Sequence, residues 1–127
     1  MPVESILKYL NDVESAFNKL EDCYVEKYEE EILAPDRVNL RIRARFLKGY
    51  MLEWNESVVA VEGKINHLGY RYHFQDKYNN VIFRYDNTPH FPQLGTFPHH
   101  KHLPNTVIAV NMPSVFEVLR ELKKFFI

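Results

Sequence analysis

Three histidines and one lysine fill four consecutive positions behind a proline in the string Phe97-Pro98-His99-His100-Lys101-His102. Histidine titrates near neutrality, so it gives or takes a proton at physiological pH, and its neutral ring ligates metals. Neighbours in an extended segment point opposite ways, which puts His100 and His102 on one side and His99 on the other. Upstream, Arg84 and Asp86 are two residues apart and so face one way on a strand, with His73 before them and His90 after them.

Two chemistries use such a set. Cleaving RNA through its 2′-hydroxyl takes a base for that proton, an acid for the departing 5′-oxygen and cations for the crowded phosphorane. His73 or His100 suits the base, and sequence does not divide acid from base among the histidines. Lys101, Arg84 or Arg71 suits the phosphate, and Asp86 can orient a histidine as a triad carboxylate does. This route needs no metal and no cofactor. In the second chemistry His100 and His102 share an ion, with Asp86 or His90 as a further ligand. The chain has no H-E-x-x-H, and its single cysteine, Cys23, excludes an internal disulfide and a cysteine cage for zinc within one chain. The metal-free route is therefore the better supplied. A purely structural account is also available, with Asp86-Asn87 capping a turn and single histidines bonding to backbone groups. It serves for any one histidine and not for the cluster. Glycine-rich phosphate loops and G-x-S-x-G are absent, so nucleotide and serine hydrolases find no support.

The elements that must position these residues follow from periodicity. Ile6, Leu10, Val13, Phe17 and Leu20 recur at spacings of four and three, predicting an amphipathic helix over residues 4–20. Residues 23–33 fit a helical extension or a strand with outward acids, and strand is the preferred reading. Leu40, Ile42, Ala44 and Phe46 alternate with Arg41, Arg43 and Arg45, the period of a half-buried strand. A second strand follows the Lys48-Gly49 turn, Gly63 and Gly69 bracket another turn region, and residues 70–76 and 81–87 alternate again. From Asn87 to Asn111 regularity stops. Pro89, Pro92, Pro98 and Pro104 forbid a helix or central strand, while Phe91, Leu94 and Phe97 predict an ordered loop over the sheet. Residues 106–110 suit a short edge strand, and a last helix starts at Ser114, with Glu117 completing a capping box. The predicted fold is α+β: an antiparallel β-meander of about four or five strands with N- and C-terminal helices packed on one face.

If the aromatic faces of the strands meet the helices, Arg41, Arg43, Arg45, Arg71, His73, Arg84 and Asp86 share the other face, provided no bulge intervenes. Antiparallel sheets commonly have one solvated face. Three arginines in a row, however, repel one another unless a partner neutralises them. Arg41, Arg43, Arg45 and Arg71 thus read as contacts for a nucleic-acid backbone or an acidic segment, the chain's own Glu29–Glu31 included.

Composition sets the outer bounds. The 127 residues, 46% hydrophobic and 26% charged, suit a single soluble domain over 1–127 with a real core. Residues 1–36 carry ten acids against three lysines, net −7. The rest carries thirteen bases against seven acids, net +6, and all six histidines. A basic surface is therefore compatible with the total of −1. No apolar run approaches the roughly 18 residues that cross a bilayer. The acidic start lacks the pattern of a signal peptide, which predicts a cytoplasmic protein and no membrane partner.

Tyr70, Tyr72, His73, Gln75 and Asp76, then Phe83, Arg84, Asp86, Asn87, Pro89 and His90, then the 97–102 string, resemble the signature of the TumE-type toxins. These are components of two-gene toxin–antitoxin modules. Phe91 departs from the pattern, since many relatives carry a second histidine there. The resemblance implies a growth inhibitor restrained by a cognate antitoxin, a small helix-turn-helix DNA-binding protein. Toxins of this size are commonly ribonucleases, which matches a metal-independent endoribonuclease built on His73, Arg84, Asp86, His90, His99, His100, Lys101 and His102. The alternatives are a non-catalytic module binding RNA or antitoxin, and a metal-dependent nuclease or nucleotidyltransferase.

Overall fold

In the computed structural model, which describes residues 1–126, the N-terminal apolar stripe becomes α1, Glu4–Asn18, burying Ile6, Leu10, Val13, Ala16 and Phe17. No side chain caps this helix. Burying one large apolar side chain contributes about 1.5–3 kcal/mol, so the packed face and not the cap holds α1 in place. Seven strands follow: β1 Cys23–Ala34, β2 Arg37–Phe46, β3 Met51–Val61, β4 Lys64–Gln75, β5 Val81–Asp86, β6 His100–Leu103 and β7 Thr106–Ala109. The last helix, α2, spans Val115–Leu122 and buries Val118, Leu119 and Leu122. Its predicted capping box is present: the Glu117 amide donates to Ser114 Oγ at 3.1 Å and the Ser114 amide to Glu117 Oε1 at 3.0 Å.

The strands form one sheet in chain order, and every neighbouring pair is antiparallel. The α+β class, the meander and the terminal helices agree with the sequence reading. The strand number does not: seven are present among the described residues. One of the additions is β6, four residues set between Pro98 and Pro104, too short to show a period and placed where an irregular loop was expected. The predicted turn region between Gly63 and Gly69 is also smaller. Glu62 and Gly63, at φ 51° and 75°, make the whole β3–β4 turn, the two-residue form that needs left-handed backbone. Gly69 lies inside β4 opposite Ser57, where a register shift leaves Leu68 unpaired and exposed.

Both helices cover the same face. Phe17 of α1 meets Trp54 edge-on at 5.7 Å, and Trp54 stacks on Tyr72 at 3.6 Å. Leu40, Ile42, Phe74 and Phe83 extend this core, and Cys23 borders it, half-buried, with burial pushing its thiol pKa up. Within the core sits one carboxylate, Glu56, only 5% exposed. The Tyr9 hydroxyl of α1 donates to it at 2.6 Å, the Tyr72 hydroxyl at 2.5 Å, and His67 Nε2 lies 3.1 Å away. Burial first, and then the Glu56 charge, push both phenols well above their ordinary pKa, so they remain donors.

Candidate functional site on the helix-free face

Register decides what meets on the other face. Arg71 of β4, Asp86 of β5 and His100 of β6 are successive cross-strand partners, and two residues along so are His73, Arg84 and His102. Residues two apart on a strand share a face, so these two rows form one patch. The register shift between β4 and β5 falls at Phe74–Gln75, beyond both rows, and leaves the predicted parity intact.

At the centre, Asp86 and His100 are 4% and 1% exposed. His100 Nε2 lies 2.8 Å from Asp86 Oδ1 and 3.1 Å from His102 Nε2, and His102 Nε2 lies 3.4 Å from Asp86 Oδ2. The other nitrogen of His100, Nδ1, donates to the Pro98 carbonyl at 2.9 Å. Asp86 Oδ1 also accepts from the Thr88 amide at 3.1 Å, so the turn-capping role foreseen for this residue coexists with the cluster. The Phe91 ring stands edge-on to His100 at 5.2 Å and to His102 at 5.9 Å. Burial is the first cause pulling the His102 pKa below its usual value, helped by His100 and Arg84 and opposed by Asp86. The ring is therefore neutral at neutral pH. These three side chains are the group able to hold a metal ion among the described residues.

The second row is a positioning chain. Arg84 Nε donates to His73 Nδ1 at 3.2 Å, which fixes the His73 proton on Nε2, where it meets Gln75 Oε1 at 2.9 Å. The Gln75 amide nitrogen passes on to Asn79 Oδ1 at 2.8 Å. With both ring nitrogens engaged and its pKa lowered, mainly by burial and further by Arg84 and Arg71, His73 is a neutral acceptor that aims Arg84. Burial and the neighbouring Arg71 also lower the Arg84 pKa, against Asp86, yet a guanidinium stays charged.

Three other sequence candidates lie elsewhere. Lys101 projects to the helix side, where its ammonium meets Glu121 of α2 at 2.5 Å and lies over the Tyr85 ring. His99 also turns away from His100, bonding through Nδ1 to the Tyr70 hydroxyl at 2.9 Å and stacking on that ring. His90 is exposed on the loop beside Phe91. The β2 arginines have intramolecular partners: Arg43 pairs with Glu53 at 3.0 Å, Arg45 with Glu26 at 3.3 Å and Arg41 loosely with Glu29 at 3.9 Å. Arg71 makes no ion pair among the described residues, and with Arg41 it lines an open groove of about 430 Å³ beside the Asp86 row. Asn39, Asn55 and Asn87 line the same groove. Phe91 and the Pro98 carbonyl carry no periodic or chemical signature in the sequence that marks them as site residues. Gln75 did have one, its shared parity with His73.

A family model described as Toxin TumE matches residues 13–126. No curated protein and no solved structure matches the chain.

Proposed function

The chain belongs to the TumE toxin family, and from that premise we propose that it is a toxin that cuts the phosphodiester backbone of RNA on the helix-free face. The observation that carries this reading is the adjacency of two rows, Arg71–Asp86–His100 and His73–Arg84–His102, beside a groove lined by Arg41 and Arg71. Arginine forks match phosphate oxygens, so the groove suits a single strand and Arg84, aimed by His73, suits the scissile phosphate. Activation of the attacking hydroxyl falls to the His102 edge of the cluster. His102 has 27% of its side chain exposed, whereas Asp86 and His100 are sealed behind it. Lys101 has no place in this account, being held by Glu121.

A toxin family implies an antitoxin, and the proposed partner is a small helix-turn-helix DNA-binding protein that shields this face. Action on cellular RNA would put the protein in the cytoplasm. No helix of the described residues is long and apolar enough to cross a membrane. The test is incubation of purified protein with total and single-stranded RNA beside an Arg84→Ala variant. The expected result is fragmentation that weakens strongly in the variant. The arginine-lined groove also fits a non-catalytic RNA- or antitoxin-binding module. That reading predicts binding with a steep salt dependence and no fragments, which would displace the nuclease reading.

A further inference from the structure

We propose that Asp86, His100 and His102 are the protein ligands of a single divalent transition-metal ion of the zinc class. The inference refines the site proposed above and borrows only its location from that reading. Convergence is the first ground. The Pro98 carbonyl can only accept, so Nδ1 of His100 donates to it and Nε2 is the ring nitrogen turned toward Asp86 and His102. The His102 atom nearest to both Asp86 and His100 is again Nε2. Ligand atoms of three side chains of metal-binding type thus converge on one point, with separations of 2.8, 3.1 and 3.4 Å that involve both oxygens of Asp86.

Distance is the second ground. Tetrahedral ligands about 2.0–2.1 Å from zinc stand roughly 3.3 Å from each other. One ligand atom from each of the three residues lies within 4.8 Å of the others, and the nearest pairs stand at 2.8, 3.1 and 3.4 Å, so small side-chain adjustments admit an ion. The surroundings agree. A ligating imidazole characteristically gives its other N–H to a carbonyl or carboxylate, as His100 does to Pro98. Phe91 covers both rings and adopts φ 59°, a left-handed conformation that costs a bulky residue energy and is held here at the cluster. The part-exposed edge of His102 leaves room for a fourth ligand, a water or a phosphate oxygen, the open position of a catalytic site. Two imidazoles with one carboxylate favour zinc and its first-row neighbours over magnesium or calcium, which take oxygen ligands.

The test uses metal alone. Full-length protein is stripped with chelator, checked for folding by circular dichroism, titrated with Zn²⁺ by calorimetry, dialysed and assayed for bound metal. One zinc per chain is expected, with a zinc-dependent rise in melting temperature. His102→Ala and Asp86→Asn should each weaken binding at least tenfold and abolish that rise, while the exposed His90→Ala should behave as the parent. A folded parent that takes up no zinc at micromolar concentration would overturn the proposal. So would a folded His102→Ala that binds like the parent. Because RNA is not part of the readout, a protein that binds zinc but leaves RNA intact would sink the nuclease reading and uphold this one. RNA cleavage by a protein that takes up no zinc would do the reverse.

Discussion

Two buried carboxylates lie on opposite faces of the same sheet, Glu56 under α1 and Asp86 on the helix-free face, exposed by 5% and 4%. Their neighbours differ in kind. Glu56 faces donors, two phenols kept protonated by burial and its own charge, with His67 beside them. Every partner lies within the fold, and Tyr9 ties α1 to β3 through it. Asp86 faces two imidazole nitrogens that also face each other, next to an arginine aimed by a neutral histidine. Burial alone therefore does not mark a functional group. A buried acid enclosed by two phenol donors and a histidine of the core stabilises the fold. One on which two metal-ligating imidazoles converge, beside an open arginine-lined groove, has the make-up of a site.

The comparison breaks most visibly if the two acids are exchangeable. Asp86→Ala should lower RNA cleavage by roughly 100-fold or more while the protein stays folded, read from initial rates at equal soluble concentration. Glu56→Ala should act the other way. It strands buried donors and should cost about 3 kcal/mol or more in urea denaturation, with any surviving folded fraction still active. Comparable activity losses in the two folded variants would erase the distinction.

Lys101→Ala sharpens it. By position in the sequence Lys101 belongs to the histidine string, yet structurally it belongs to the helix side with Glu121. Its loss should cost about 1.5–3 kcal/mol of stability and leave the cleavage rate of folded protein unchanged. The smallest effect lies farthest from either acid. Ser114→Ala should cost about 1 kcal/mol by removing the α2 cap. Hydrogen bonds from the Ser114 backbone and side chain hold the Glu117 carboxyl below its ordinary pKa of 4.5. The Glu117 half of the box is thus present above that ordinary value and lost as pH falls through the lowered one. Its main donor is the Ser114 backbone amide, which alanine keeps, while the bond from the Glu117 amide to Ser114 Oγ does not titrate. The difference between parent and variant in urea denaturation should therefore persist at acid pH.

Much of this architecture can be read in the sequence. The helical stripe of α1, the alternation in β2 and β5 and the Ser114–Glu117 box each declare themselves through period or spacing. Parity correctly groups His73, Arg84 and Asp86 on one face and pairs His100 with His102 across Lys101. That same parity turns Lys101 away, a signal outweighed by the appeal of a cation beside histidines. What was not legible is register. Thirteen residues separate β5 from β6 (87–99), so nothing local says that Asp86, and not His90, meets His100. Nor does spacing along β2 reveal that Glu53 neutralises Arg43, since that contact comes from the β2–β3 pairing. Sites assembled across strands hide in this way, because each strand carries only part of the chemistry.

The most direct test of the central claim, that the Asp86–His100–His102 face is what makes this protein toxic, is growth after induced expression of the parent and of His102→Ala at matched soluble levels. His102 is partly exposed, so its loss should shift stability by less than about 1 kcal/mol and leave the fold in place. The account predicts arrest with the parent and normal growth with the variant. Equal arrest by both would contradict it.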